Sequence, residues 1–89
     1  MPSSDENRRC RVCGLLYDDP PWGPDGRTPK FEYCDCCGVE WGYQDATPEG
    51  ARRFRQQWIE AGAKWSRPDR RPADWRLEEQ LRHVPAAFR

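Results

Sequence analysis

Two short stretches hold the residues most able to do chemistry. "CRVCG" places Cys10 and Cys13, and "CDCCG" places Cys34, Cys36 and Cys37. Each contains the pattern C-x-x-C-G, as Cys10-Arg-Val-Cys13-Gly14 and Cys34-Asp-Cys36-Cys37-Gly38. A C-x-x-C turn brings two sulfurs within reach of one ion. The glycine that follows can take positive φ without a Cβ clash, which lets the turn's N–H groups point back at the sulfurs. Two such knuckles facing each other make a closed tetrahedral site of four cysteines. On this spacing Cys10, Cys13, Cys34 and Cys37 are the metal ligands, Gly14 and Gly38 are the knuckle glycines, and Cys36 is the spare thiol. A Cys34/Cys36 pair would lack a glycine directly after it. The rival chemistry, a redox C-x-x-C, normally opens a helix in a βαβ setting, which neither pair has.

Tetrahedral sulfur sites favour zinc or iron. Zinc is the expected ion, with iron at the same cysteines as the alternative. Four thiolates leave no position for a catalytic water, so the ion is read as structural. Binding to such sites is worth on the order of 10–16 kcal/mol at neutral pH, and the cysteine half is expected to be unfolded without metal.

Composition points the same way. Ile, Leu, Val and Phe make up only 11 of 89 residues, and net charge is zero. Five Trp, three Tyr and five Cys supply apolar mass instead, so the core is thin and needs a staple. An odd number of cysteines cannot all pair within the chain. The start, "MPSSDENRRC", has no apolar signal-peptide core. No run approaches the ~18 apolar residues that span a membrane, and no membrane partner is expected. The default location is cytoplasmic, where thiols stay reduced, which favours a metal over disulfides.

The elements that must position these cysteines follow from pattern. Residues 1–7 are polar and expected to be flexible. Residues 8–45 hold both knuckles. Between these, "DDPPWGPDGRTPK" carries four Pro and two Gly and excludes a regular element. "KFEYC" alternates as a short strand does, and "VEWGY" reads as the strand leaving the second knuckle. Residues 46–65 are helical: Thr47 is the N-cap, Pro48 suits the first position, and Ala51, Phe54, Trp58 and Ala61 form one apolar stripe with Ile59 at its edge. Gly62 ends the helix, while Gly50 is a weak point near its start. Residues 66–89 are a charged, Pro-punctuated linker and a shorter helix over roughly 74–83, capped by Asp74. The expected fold class is a small α+β metal-stabilised domain: two knuckles with short antiparallel strands packed on one α-helix, with a shorter C-terminal helix, as a single compact unit.

"VCGLLYDDP", a Pro/Gly-rich loop and a second C-x-x-C-G resemble rubredoxin and the rubredoxin-like zinc ribbons over about residues 8–43. The resemblance implies iron or zinc in a three-stranded antiparallel ribbon. The chain departs from it in a shorter inter-knuckle segment and in Asp35-Cys36 where Pro-x is usual. "CCGVEWGYQD…WIEAGAKW" is also similar to small bacterial zinc-ribbon proteins that join such a knuckle to a W-I-x-x-G-x-x-W helix.

No Ser/His/Asp set, paired carboxylates or phosphate loop is visible, and His83 is read as solvated. Trp41, Trp58 and Trp65 are expected in the core, with Tyr17, Phe31, Tyr33 and Trp41 packing against Phe54, Trp58 and Ile59. Arg55 is expected to snorkel or to pair with an acid such as Asp45. Trp22, Arg52, Arg53, Arg67, Arg70 and Arg71 form the candidate binding surface. Charge is uneven: residues 1–47 carry nine acidic and five basic side chains, residues 48–89 six and ten. The functional expectation is a non-enzymatic protein with a structural four-cysteine zinc site that binds another protein. The alternatives are a rubredoxin-like iron electron carrier and a zinc ribbon that binds nucleic acid through its Arg-rich half.

Overall fold

Gly14 and Gly38 sit in the left-handed region, with φ of 85° and 81°, and each closes a cysteine turn. The computed structural model, which describes residues 4–89, builds both turns with the same three backbone hydrogen bonds. In the first knuckle Cys10 N donates to Leu15 O, Gly14 N to Cys10 O, and Tyr17 N to Arg8 O. In the second, Cys34 N donates to Val39 O, Gly38 N to Cys34 O, and Trp41 N to Glu32 O. The repeat is therefore more than a cysteine spacing. It pairs Val12 with Cys36, Leu15 with Val39, and Tyr17 with Trp41 as equivalent positions.

The antiparallel ribbon expected around the knuckles is reduced to two isolated bridges, Arg9 with Leu16 and Tyr33 with Glu40. No sheet forms among the described residues. The expected "KFEYC" strand is interrupted because Phe31 takes φ of 56° and Lys30 N donates into the proline loop, to Pro21 O. The result is a compact globule of turns and short helices with almost no strand. Its radius of gyration, 11.9 Å, matches the ~12 Å expected of a folded chain this long, so compactness does not depend on a sheet.

Helix α1, Ser4–Asn7, is one turn within the segment expected to be flexible. The rest of that expectation, at residues 1–3, lies outside the described residues. Helix α2, Pro48–Glu60, starts as the sequence predicts but is shorter than the expected 46–65, with its C-cap at Ala61. Thr47 is extended and its hydroxyl accepts from Gly50 N at 3.0 Å, with Pro48 at the first position. Ala51 and Trp58 are buried and Phe54 partly so, but Ala61 is the exposed C-cap and Ile59 is 39% exposed. Gly62, with φ of 108°, ends the helix. Gly50 has a reason to be glycine: a Cβ there would meet the Gln44 carbonyl oxygen at 2.4 Å.

The last third of the chain wraps back over the first knuckle. A 3-10 turn at Pro68–Arg70 interrupts the linker, and helix α3 is only Leu77–Leu81. Its cap position is Arg76 rather than Asp74, without a side-chain bond. A final 3-10 turn, Ala86–Phe88, packs against α2.

Trp41, Trp58 and Trp65 are buried with the cysteines, Val12, Val39 and Ala51. Tyr17 meets Trp41 edge-on at 4.8 Å, and Trp75 stands edge-on to Trp65 at 5.6 Å. The expected packing of Phe31 and Tyr33 on the helix does not occur: they are 61% and 66% exposed. With no strand to alternate their side chains, nothing turns these rings inward.

Candidate metal centre

The two knuckles place four cysteine sulfurs within 4.8 Å of one another, from Cys10, Cys13, Cys34 and Cys37, all buried. The Cys10 and Cys37 sulfurs are 3.8 Å apart, and those of Cys13 and Cys34 are 3.7 Å apart. None is in a disulfide. Four sulfurs at a metal–sulfur distance of about 2.3 Å form a tetrahedron with edges of about 3.8 Å. Both cross-knuckle edges fit it, so the donor set could hold one metal ion and is compatible with a structural site.

The charge balance of the thiols is uneven. Burial pushes Cys34 up, but hydrogen bonds from Cys10, Cys13, Cys37 and Tyr17 outweigh it and hold its thiol well below the usual value. Burial, reinforced by hydrogen bonds within the cluster, pushes Cys13 and Cys37 well up. A phenol supports the charge on Cys34. Tyr17 Oη donates to Cys34 Sγ at 3.0 Å and accepts the Asp35 N–H at 3.0 Å. Burial, followed by the charge on Cys34, raises the phenol's own pKa far above its usual range, so it stays a neutral donor.

Cys36 is buried completely, at the place Val12 holds in the first knuckle. Gln80 Nε2 lies 3.4 Å from its sulfur and donates to Cys13 O at 3.1 Å. One amide of α3 therefore touches both knuckles.

Exposed carbonyls at the knuckle tips would be costly to bury unpaired, and each tip finds different donors. Arg55 takes the first: Nε donates to Val12 O at 2.6 Å and Nη2 to Arg11 O at 3.2 Å, while Nη2 also reaches Phe88 O. These carbonyl partners replace the expected acid. Ser66 and Arg67 take the second tip, with Ser66 N to Cys36 O, Arg67 N to Asp35 O and Ser66 Oγ to Cys34 O. Asp45 is instead buried between Gly42 N and Trp22 Nε1, at 2.9 and 2.8 Å. Burial raises its pKa and these two bonds oppose the rise.

No family model matches the chain, and no solved structure gives a significant match. Over an alignment of 91 positions it is 32% identical to the Uncharacterized protein YozI of Bacillus subtilis (strain 168), covering 82% of this chain and 74% of that protein. The chain belongs to the YozI family. YozI's own description assigns no activity, so any role for this YozI-family chain must be read from its site.

The residues of the candidate binding surface have different partners on this YozI-family fold. Trp22 is partly buried, bonded to Asp45 and covered by Arg11 at 3.9 Å from its ring. Arg52 lies on the first turns of α2, near Glu49, and donates to Arg89 O; Arg53 beside it is exposed. Arg67, Arg70 and Arg71 follow the opposite end of α2, with Arg67 near Asp69 at 3.6 Å and Arg71 over the Trp75 ring at 5.2 Å. Arg52 and Arg53 lie in the first half of helix α2, and Arg67, Arg70 and Arg71 follow its C-terminal end in the chain. The sequence reading missed the partners of Arg55, Ser66 and Gln80. All three are long-range, and none lies in a motif.

Proposed function

We propose that this protein is a non-enzymatic, zinc-stabilised module of the cytoplasm that binds another protein, with a rubredoxin-like pair of knuckles as its framework. The observation that carries the reading is the closed, buried cluster of four cysteines. Cys10, Cys13 and Cys34 are fully buried and Cys37 is 6% exposed. Four thiolates filling one ion leave no position for a substrate or an activated water. Zinc bound there would hold the two knuckles together and neutralise thiolate charge that the core cannot otherwise accommodate. Its contribution, on the order of 10–16 kcal/mol, exceeds what so thin a core supplies.

The partner reading is supported by large side chains left on the surface. Phe31, Tyr33 and Tyr43 are 61%, 66% and 73% exposed, and exposed aromatics of this kind mark interaction sites.

Elemental analysis of protein purified without added metal should give one zinc per chain, and removing it with a chelator should abolish the folded near-UV signal of the tryptophans. A red protein with one iron and reversible redox would replace this reading with electron transfer. Measured turnover of any substrate would end the non-enzymatic reading.

A further inference from the structure

Beside the second knuckle lies an open cleft of about 250 Å³. Its rings are Tyr17, Tyr33 and Trp41, and its acids include Asp18, Glu32 and Asp35. Asp19 and Lys30, also on its lining, pair with each other at 3.5 Å. Four carboxylates therefore face one ammonium, and three of the four have no ion-pair partner among the described residues. Trp41 is 3% exposed, and its indole N–H is a buried donor with no acceptor there. Exposed Phe31 lies against Gly42, the residue after Trp41, where a Cβ would meet its ring at 2.7 Å.

We infer that this cleft binds an arginine-bearing peptide segment of a partner protein. The inference rests on the partner-binding reading above and gives that partner a chemistry. A guanidinium is planar, stacks on aromatic faces and donates in a fork to carboxylates. The exposed Tyr33 ring and the unpaired acids in one cleft offer both contacts together, and a long-stemmed cation reaches them without burying its charge unpaired. The protein uses the same chemistry internally, where Arg11 lies 3.9 Å from the Trp22 ring and 4.4 Å from the Phe88 ring. Arg52, Arg55, Arg67 and Arg71 have partners of their own; a second copy offering exposed Arg53 or Arg70 is the competing occupant that sedimentation tests.

Calorimetric titration of the metal-loaded protein with three synthetic heptapeptides tests this. One alternates glycine with arginine, one glycine with lysine, and one glycine with glutamate. The arginine peptide should bind at least ten-fold tighter than the glutamate peptide. Binding should weaken as salt rises from about 50 to 500 mM. Tyr33→Ala and Glu32→Gln should each weaken it roughly five-fold. Both side chains are exposed, so metal content should stay unchanged. Equal binding of the arginine and glutamate peptides, or full binding by both variants, overturns the inference. So does a dimer in sedimentation that Tyr33→Ala dissolves, which would make the occupant a second copy. A partner cross-linked in lysate as well by Tyr33→Ala and Glu32→Gln as by the native chain would refute the cleft and keep the module reading. No cross-linked partner and no peptide binding would remove both.

Discussion

Alanine at Gly14 and at Gly38 tests how the C-terminal segment is held. Both glycines have nearly the same φ, 85° and 81°, and close equivalent turns. A left-handed L-residue costs about 1–2 kcal/mol, and the stiffer unfolded chain returns about 0.4–1 kcal/mol. On backbone grounds alone the two substitutions should each cost about 1 kcal/mol. Their surroundings differ. At Gly38 the nearest atom to a new Cβ is Ser66 Cβ at 3.4 Å, an ordinary contact. At Gly14 a Cβ would lie 2.5 Å from the Gln80 carbonyl oxygen and 3.1 Å from Val84 N. Both are backbone atoms that cannot rotate away, and overpacking of this kind costs about 1–3 kcal/mol. Gly14→Ala should therefore cost about 2–4 kcal/mol in total, or lift α3 off the knuckle and release Gln80 from Cys13 and Cys36. Urea unfolding at fixed excess zinc measures the difference, and hydrogen exchange over residues 77–89 shows whether the segment lifts. Equal penalties for the two variants, with unchanged protection of 77–89 in Gly14→Ala, would refute the close approach of α3 to the first knuckle.

Three further outcomes can be checked. Cys36→Val should keep the metal and change stability by less than about 1.5 kcal/mol, because Val12 fills the equivalent place; Cys34→Ser and Cys37→Ser should lose metal and fold, and zinc loss from Cys36→Val by elemental analysis would mean the ligand set is misassigned. Tyr17→Phe removes a donor to Cys34 and the acceptor of Asp35 N–H, so competition with a chromophoric chelator should show zinc affinity lowered about ten-fold or more. Arg55→Met keeps the aliphatic stem but strips donors from Val12, Arg11 and Phe88, and should cost about 2–4 kcal/mol in urea unfolding; Arg55→Lys should recover only part, since an ammonium cannot fork to these carbonyls.

The four-cysteine cluster was legible because its determinants are local. A C-x-x-C-G turn is closed by hydrogen bonds between near neighbours in the chain, and its positive φ favours glycine at both knuckles. Helix α2 was legible for the same reason: Thr47, Pro48 and the stripe through Trp58 act within a few turns. The ribbon was not, because alternation in "KFEYC" is a weak signal that Phe31's left-handed backbone and the Pro21 contact override. The length of α3 and the loss of its Asp74 cap were hidden too, since so short a helix has little propensity of its own and is held by what it packs against.

Sequence by itself determined the cluster of four cysteines, the two turns that present it, the main helix with its cap, and the burial of Trp41, Trp58 and Trp65. These depend on residue type and short spacing. Only the tertiary structure decided that Cys36 occupies the place of a valine and that Arg55 serves carbonyls rather than an acid. It also decided that Gln80 spans both knuckles, and that Tyr33 stays outside to line an acidic cleft. Arg55 and Val12 are 43 positions apart, and Gln80 and Cys13 are 67 apart. Such residues meet only across folded turns, and no periodicity in the chain encodes the meeting.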